Sequence, residues 1–325
     1  MKRVSARIIA EVLDNAERVA IFGHVQPDSD CYGSAVGLKI GLESAGKKAF
    51  VYLPDDLPYN LAFLNGFAVF GEEKMMQNVD AVVIVDSASL GRIHAREILE
   101  NYKQKGIQTI LLDHHLASDL INFADIGWQD EKVSSVSEMV LAVLKEMNAT
   151  IQKDIATYLL AGIEGDTGSF QNQNTTKDSF EDAAYLMSKG ARFRSIIANA
   201  VNSKRNINLI KLYGLALERV VYNKKYKTAA TYVTLQDLKN YGLEEEASYS
   251  EMINFLNTIG GIKMIVLITE REEGVLKVSL RTRDDHVNVQ RLANAFGGGG
   301  HIKASGFSLS GKIVSENGRV KISCP

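Results

Sequence analysis

The sequence predicts an α/β protein of two domains, a larger N-terminal one on a mainly parallel sheet and a smaller C-terminal one with its own sheet. Its 325 residues are about twice the roughly 150 residues of a common single domain. In the first half, short β-rich apolar runs alternate with helical patterns, and this pattern changes after about residue 220. We therefore expect βαβ units followed by a separate sheet.

Four apolar runs rich in β-branched residues define the sheet of the first half. Continuous apolar runs between helices are typical of parallel strands that are buried on both faces. These runs are VAIFG (19–23), KKAFVYL (47–53), AVVIVD (81–86) and QTILLD (108–113), with helical patterns at 33–45 and 93–104.

Helical patterns dominate from 135 to 218, and three strand-like runs follow: TAATYVTL, IKMIVLITE and VLKVSLRTR. We expect a domain over 1–190, a helical connection over 191–216 and a second domain over 217–325. With 46% hydrophobic and 23% charged residues, both domains have the composition of ordinary folded proteins.

The net charge of −2 conceals an asymmetry between the two predicted halves. Residues 1–190 carry 17 basic against 27 acidic residues, a balance of −10, whereas 191–325 carry 20 against 12, a balance of +8. The near-neutral total excludes a strongly basic binder of extended nucleic acid. An acidic half suits cations and a basic half suits phosphates, so we expect the two signs to face each other across one cleft.

Neither a membrane segment nor a disulfide framework is expected. No run approaches the roughly 18 apolar residues of a membrane span. The N-terminal segment has acidic residues at helical spacing and is typical of an amphipathic helix, not of a signal peptide. Two cysteines, Cys31 and Cys324, are too few for a disulfide scaffold. These features favour a cytoplasmic protein.

Carboxylates and histidines follow the predicted strands, where ligands bind in open α/β sheets. Any single Asp could instead cap a helix, but capping requires no histidine. Clustered carboxylates without Lys or Arg beside them repel one another unless a cation lies among them. The residues are His24, Asp28 and Asp30 after the first run, Asp86 after the third, Asp113, His114 and His115 after the fourth, and Asp166 after a helical stretch.

Mixed imidazole and oxygen ligands suit Mn²⁺, Zn²⁺, Fe²⁺ or Co²⁺. The carboxylates outnumber the ligands that one ion uses, which indicates a two-metal site of the kind that hydrolyses phosphate esters. The residues alone thus predict a binuclear metal phosphoesterase.

A run of four glycines, Gly297–Gly300, precedes His301 and follows a helical pattern. Such a run can be a flexible loop, or it can expose backbone N–H groups to a phosphate. A helix that starts near His301 would add a positive dipole. Arg281 and Arg283 on the preceding predicted strand favour the phosphate interpretation.

The Asp113-His114-His115 triplet, with the three other motifs in order, resembles the DHH phosphoesterase superfamily. The segment GGGGHIKASG (297–306) resembles the signature of its C-terminal DHHA1 domain, a smaller α/β domain with a mixed sheet. Size and motif order look most like the branch of small oligoribonucleases that also act as pAp phosphatases. The resemblance extends from residue 24 to 306.

The resemblance implies a role for each motif residue. One divalent ion is held by His24 and Asp28, the other by Asp30, His114 and Asp166, with Asp86 bridging both. His115 faces the substrate phosphate or transfers a proton, and Asp113 orients the imidazoles. The residues implied to clamp phosphate and nucleotide are Arg281, Gly298, Gly299, Gly300 and His301.

The implied activity is hydrolysis of RNA oligonucleotides of two to five nucleotides to mononucleotides, with dephosphorylation of pAp and with Mn²⁺ as the expected metal. Alternatives are a cyclic dinucleotide (c-di-AMP) or pApA phosphodiesterase, a pyrophosphatase or polyphosphatase, and a nucleotide-binding regulator without catalysis. The strand polarity of cleavage stays open, and a homodimer through the larger domain is compatible with the sequence.

Three positions depart from the expected pattern or adjoin it. Gln171 stands where relatives often carry Arg after the Phe of the fourth motif, which implies the loss of one phosphate contact. Ser305 replaces a usual Ala, which is a small change. Cys31, beside Asp30, is expected to be a small packed residue.

Overall fold

The computed structural model describes residues 1–55, 57, 59–64, 78–115, 118–201, 207–243, 249–272, 274–316 and 319–323. Contacts divide the chain into two compact units, 1–203 and 204–325. The division lies within the helical connection expected over 191–216. Cys324 lies outside the described residues.

The N-terminal unit contains a six-stranded sheet in which every pairing is parallel, with the strand order β1-β6-β5-β4-β2-β3. The four predicted strands are all present, so the prediction of a parallel sheet is confirmed. Its strands are β1 (Lys2–Arg3), β2 (Arg18–Phe22), β3 (Lys48–Tyr52), β4 (Ala81–Val85), β5 (Gln108–Asp113) and β6 (Ile126–Gln129).

Helices cover both faces of this sheet. Two apolar cores result, one beneath the α1, α2, α5 and α6 layer and one beneath α3 and α4. The helices are α1 (Ala6–Asn15), α2 (Ser29–Ser44), α3 (Arg96–Gln104), α4 (Leu120–Phe123), α5 (Val136–Glu146), α6 (Lys153–Asp166), α7 (Lys177–Ser188) and α8 (Phe193–Val201), with 3-10 helices at Tyr59–Leu64 and Leu90–Ile93.

Two helix boundaries differ from the expectation. Helix α2 begins at Ser29 and not at 33, because the Asp28 carboxylate accepts hydrogen bonds from the amides of Asp30 and Cys31 and so caps the helix. Helix α3 begins only at Arg96, after the separate 3-10 turn.

Glycines bring α2 and α6 unusually close. A Cβ atom on Gly33 would lie 2.4 Å from the carbonyl oxygen of Tyr158, and one on Gly162 would lie 2.7 Å from an Asp30 carboxylate oxygen. A larger residue at either position would force the helices apart. This close packing places the first turn of α2, with its acidic residues, against the end of α6.

The C-terminal unit contains a second six-stranded sheet, with the order β11-β12-β10-β9-β8-β7. The β8–β9 pairing is parallel and the other pairings are antiparallel, which confirms the mixed sheet. Its elements are α9 (Ile207–Glu218), β7 (Val221–Asn223), β8 (Thr228–Val233), α10 (Leu235–Tyr241), α11 (Tyr249–Leu256), β9 (Met264–Glu272), β10 (Val275–Arg281), α12 (Val289–Ala295), β11 (Gly299–Gly300), β12 (Ala304–Ser310), β13 (Lys312–Glu316) and β14 (Arg319–Ser323).

The helix dipole considered at His301 does not arise, because no helix starts there. His301 lies in the short turn between β11 and β12, and the glycine run follows the end of α12. Among the described residues, no helix combines the length and apolar character that a membrane crossing requires.

Candidate metal centre and nucleotide-binding residues

The predicted residues of the N-terminal unit meet where β2, β4 and β5 end, beside the first turn of α2 and the last turn of α6. Three groups of side chains each bring possible ligand atoms within 4.8 Å of one another. The groups are His24 with Cys31 and Asp86, Asp86 with His114 and His115, and Asp30 with His114 and Asp166.

Asp86 occupies the middle of this cluster. Its Oδ2 atom lies 3.6 Å from His24 Nε2, and its Oδ1 atom lies 3.6 Å from His114 Nε2 and 3.8 Å from His115 Nδ1. Its backbone is in the left-handed region, with φ at 50°, which is uncommon outside glycine and is found at functional sites. The two carboxylate oxygens thus face different imidazoles, as those of a shared ligand would.

The histidines shift the ionisation of Asp86. Burial alone would raise the pKa of Asp86, but the neighbouring His24 imidazole and the charges of His114 and His115 hold it below its usual value. Conversely, burial alone would lower the pKa of His24, whereas its contacts with Asp86 raise it. Asp86 is therefore the anion around which the imidazoles gather.

Two imidazoles have one nitrogen directed at a backbone carbonyl. His24 Nδ1 lies 2.7 Å from the oxygen of Val25, and His114 Nδ1 lies 3.3 Å from that of Val133. An Nδ1–H group that donates to a carbonyl leaves Nε2 with a free lone pair, which is the usual arrangement of a metal-binding histidine. Both Nε2 atoms face carboxylates of the cluster.

Asp30 is fully buried at the N-terminus of α5. Its Oδ2 atom accepts a hydrogen bond of 2.6 Å from the Val136 amide, and its Oδ1 atom accepts one of 2.9 Å from the Ser137 amide. Ser135 caps the same helix by accepting from the Glu138 amide. Asp30 therefore links the first turn of α2 to α5 by hydrogen bonds, and its carboxylate also faces the cluster.

The cluster is short of positive charge. Burial, followed by the charge of Asp86, raises the pKa of Asp30 well above its usual value. Burial, followed by the charge of Asp30, does the same for Asp166, whose Oδ2 atom lies 3.2 Å from His114 Nε2. A divalent cation would relieve this repulsion and accept these donors. The residues present therefore fit a metal ion.

The Asp28 carboxylate caps a helix and still presents one oxygen to the cluster. One of its carboxylate oxygens caps α2, and the other lies 3.8 Å from His24 Nε2. The capping alternative fails for two other positions, because Ser89 precedes the 3-10 helix after Asp86 and Asp166 is the last residue of α6.

Asp113 fixes the orientation of the His115 ring. Its Oδ1 atom lies 2.7 Å from His115 Nδ1 and also accepts from the His115 amide. Burial alone would lower the pKa of His115, but this hydrogen bond and the charges of Asp113 and Asp86 raise it, against an opposing effect of Arg92. His115 is thus oriented and biased towards its protonated form.

Cys31 is fully buried, and its Sγ atom accepts a hydrogen bond from the His24 amide at 3.3 Å. Burial, and then the charges of Asp86 and Asp28, raise the pKa of its thiol well above the usual value. A neutral thiol that packs beside the cluster agrees with the expectation of a small packed residue.

Sequence reasoning missed two contributors to this centre. Arg92, six residues after Asp86, places its Nη2 atom 3.2 Å from His24 Nδ1. The amides of Val136 and Ser137 that bind Asp30 belong to a serine-rich helix start that predicts only a cap. Spacing along the chain could have indicated Arg92, but not the contact between Asp30 and α5, which is 106 residues away.

In the C-terminal unit, Arg281 ends β10 opposite Ala304 of β12, three residues after His301. Its Nε atom donates to Asn254 Oδ1 at 3.1 Å, and burial lowers its pKa. Arg283 lies beyond the end of β10. Register therefore places Arg281 beside the turn that carries His301.

The glycine loop is packed more tightly than expected. The amides of Gly297, Gly298 and His301 donate to backbone carbonyls of the same unit, so they do not point to an external anion. A Cβ atom on Gly298 would lie 2.2 Å from the carbonyl oxygen of Gly306. The glycines thus allow close approach to β12, and the side chains of His301 and Arg281 are better candidates for phosphate contacts than these three amides.

Comparison with known proteins agrees with this architecture. Residues 18–163 match the model of the DHH family, N-terminal domain, and residues 231–319 match that of the DHHA1 domain. The bifunctional oligoribonuclease and PAP phosphatase NrnA of Thermus thermophilus is 30% identical over 94% of this chain and 88% of its own length. The NrnA protein of Bacillus subtilis is 27% identical over 90% of each chain.

The fold also matches a crystal structure of an exopolyphosphatase-related protein from Bacteroides fragilis. The TM-score is 0.82 with 25% identity, over 93% of this chain and 90% of that one. With this fold, the four motifs and a relative at 30% identity, the chain belongs to the DHH family and carries a C-terminal DHHA1 domain.

Proposed function

We propose that this protein is a metal-dependent phosphoesterase that hydrolyses short RNA oligonucleotides to mononucleotides and removes the 3′-phosphate of pAp. The observation that carries the proposal is the convergence of imidazoles and carboxylates around Asp86. It occurs in a chain that resembles the bifunctional NrnA proteins over most of its length.

The arrangement of the ligands supports a pair of divalent ions, for which Mn²⁺ is the proposed metal. His24 and Asp28 would hold one ion, and the other would be held by Asp30, His114 and Asp166, with the two oxygens of Asp86 shared between them. When bound, such ions supply an activated water molecule and positive charge for the phosphate group.

The remaining chemistry belongs to the side chains. The carbonyl oxygens of Val25 and Val133 hold the rings of His24 and His114 in the tautomer that leaves Nε2 free. His115, with its raised pKa and its hydrogen bond to Asp113, can donate a proton to the leaving oxygen of the ester. Without this proton the leaving group would depart as an alkoxide.

The C-terminal unit would bind the nucleotide. Arg281 and His301 supply the donors. Gly298 and Gly300 allow close packing against β12, and Gly299 pairs with Gly306 of that strand, which holds His301 beside β12. A small set of contacts favours substrates of a few nucleotides. A cytoplasmic location and a homodimer belong to the same proposal, and cell fractionation and light scattering test them.

A substrate panel tests the function. Purified protein with Mn²⁺ is incubated with labelled RNA of two to five nucleotides, pAp, pApA, c-di-AMP and polyphosphate, with metal-free protein as the control. We expect mononucleotide release from the RNA and phosphate release from pAp. Faster turnover of c-di-AMP or pApA would reassign the substrate, and no release from RNA or pAp would refute the proposal.

A further inference from the structure

Arg92 lies at the edge of the metal cluster on a segment that is fixed from several sides. Its carbonyl oxygen accepts a hydrogen bond from the Val25 amide at 2.8 Å, which joins the loop after β4 to the loop after β2. Leu90 and Ile93 of the same 3-10 turn are buried, and the Leu90 amide donates to Asp119 Oδ1. The position of the Arg92 backbone is therefore set by the fold.

The guanidinium of Arg92 is exposed and has no acidic partner among the described residues. Its one side-chain contact is with His24 Nδ1, at 3.2 Å. This is unusual, because Asp28 and Asp86 both lie within 4 Å of the same imidazole ring. An arginine so close to carboxylates ordinarily pairs with one of them.

The contact with His24 cannot satisfy the guanidinium while His24 binds a metal through Nε2. In that tautomer Nδ1 carries a hydrogen and donates to the Val25 carbonyl oxygen, which lies 2.7 Å away. Two donors then face each other, and all five N–H groups of the guanidinium lack an acceptor on His24. An anion that arrives at the cluster would provide that acceptor.

The neighbouring motifs supply no permanently charged side chain of positive sign. The segments 24–34, 86–87, 113–115 and 164–172 contain neither Lys nor Arg, and Gln171 is neutral. The Arg92 guanidinium, 3.2 Å from His24 Nδ1, is the cation that this side of the cluster offers. Its planar fork matches two oxygens of a phosphate group.

We propose that Arg92 binds the phosphate group that is cleaved, on the side of the cluster formed by His24. This inference rests on the proposed phosphoesterase function. Arg92 would thus supply the cation that Gln171 does not.

The test compares R92Q and R92K with a matched control, R96Q, which removes an exposed arginine whose ion pair, within the described residues, is with Glu100 on α3. Three quantities are measured: bound Mn²⁺, the kinetics of pAp hydrolysis, and the affinity of the Mn²⁺-loaded protein for inorganic phosphate by calorimetry. For R92Q we expect kcat/KM and phosphate affinity to fall by about 10- to 100-fold, the range of one charged hydrogen-bond pair. R92K should fall less, and R96Q should match the wild type, all with unchanged metal content.

The readouts separate this inference from the function on which it rests. If the wild type hydrolyses neither RNA nor pAp, the proposed function fails, and the phosphate affinities still decide the role of Arg92. Equal phosphate affinity in R92Q and the wild type would overturn the inference. Loss of metal from R92Q would also overturn it, because Arg92 would then position His24.

Discussion

His24 and Asp86 follow neighbouring parallel strands, β2 and β4, and His24 Nε2 lies 3.6 Å from Asp86 Oδ2. The pairing of the strands therefore sets the distance between two side chains that are 62 positions apart in the sequence. Because the other oxygen of Asp86 faces His114, one carboxylate connects both halves of the proposed metal site.

Replacing Asp86 with Ala or Asn should remove at least one metal ion per chain and lower activity by more than about 100-fold. Asn tolerates the left-handed backbone at this position better than Ala does, so D86N separates loss of the ligand from backbone strain. Elemental analysis and turnover of pAp test this prediction, with the exposed D178N as the control. Normal turnover by D86N would remove Asp86 from the bridging role.

The variant R281A should raise KM or lower kcat while its metal content stays at the wild-type level, because Arg281 belongs to the C-terminal unit and the proposed ligands belong to the N-terminal one. R291A, an exposed arginine on α12, is the matched control. A loss of metal from R281A would contradict the assignment of separate tasks to the two units.

Asp30 and Asp166 should differ in their effect on stability. D30A leaves the buried amides of Val136 and Ser137 without an acceptor, so it should lower the free energy of unfolding by roughly 2–3 kcal/mol more than D166A. Urea unfolding in the presence of a chelator, followed by the fluorescence of Trp128, measures both variants without metal. Equal losses would show that the contact with α5 contributes little.

Metal removal should destabilise the N-terminal unit selectively. A ligand that binds the folded state stabilises it by mass action, and all the proposed ligands belong to this unit. The only tryptophan of the chain, Trp128, lies in β6 and reports on this unit. Chelation should lower the unfolding temperature seen by Trp128, and Mn²⁺ should restore it, while hydrogen exchange in β9 and β10 stays unchanged.

The ion pair between Arg219 and Asp237 predicts a pH dependence for the C-terminal unit. The Arg219 nitrogens lie 2.5 and 3.0 Å from the two Asp237 oxygens. Burial alone would raise the pKa of Asp237, but Arg219 and the hydrogen bonds from Thr234 hold it below the usual 3.8. This stabilisation is therefore complete above pH 3.8 and is lost as the pH falls through the lower pKa of the folded state.

D237N should accordingly lower the free energy of unfolding by roughly 1.5–3 kcal/mol at pH 7. The difference from the wild type should be the same at pH 5 and should shrink below pH 4. Hydrogen exchange of α10 and β8 at each pH measures it locally. A difference that grows on acidification would contradict the sign of the pKa shift.

Much of the fold was predictable because the strands of the N-terminal unit are buried on both faces. They therefore appear in the sequence as continuous apolar runs that are long enough to recognise. Strands β1 and β6 were not predicted, since the first has two residues and the second contains Gly127, which weakens a strand signal. The start of α2 was placed at 33 and not at Ser29, because the apolar pattern does not reveal that Asp28 caps the helix.

The candidate site was predicted as a set of residues but not as a geometry. Spacing identifies carboxylates at strand ends. The hydrogen bonds that the amides of α5 donate to Asp30 depend instead on tertiary packing between segments more than 100 positions apart. The structure of the glycine run was likewise not predictable from the sequence. Its composition predicts free amides, but the approach of Gly298 to Gly306 and the use of the loop amides become visible only in three dimensions.

The left-handed backbone of Asp86, with φ at 50°, limits which residues can replace it. Asp and Asn enter that region more readily than longer side chains do, so Glu is disfavoured as a replacement carboxylate. The main chain therefore restricts how far the carboxylate of this proposed ligand can reach. Redesign for larger ions would have to rebuild the turn after β4 before it could lengthen that side chain.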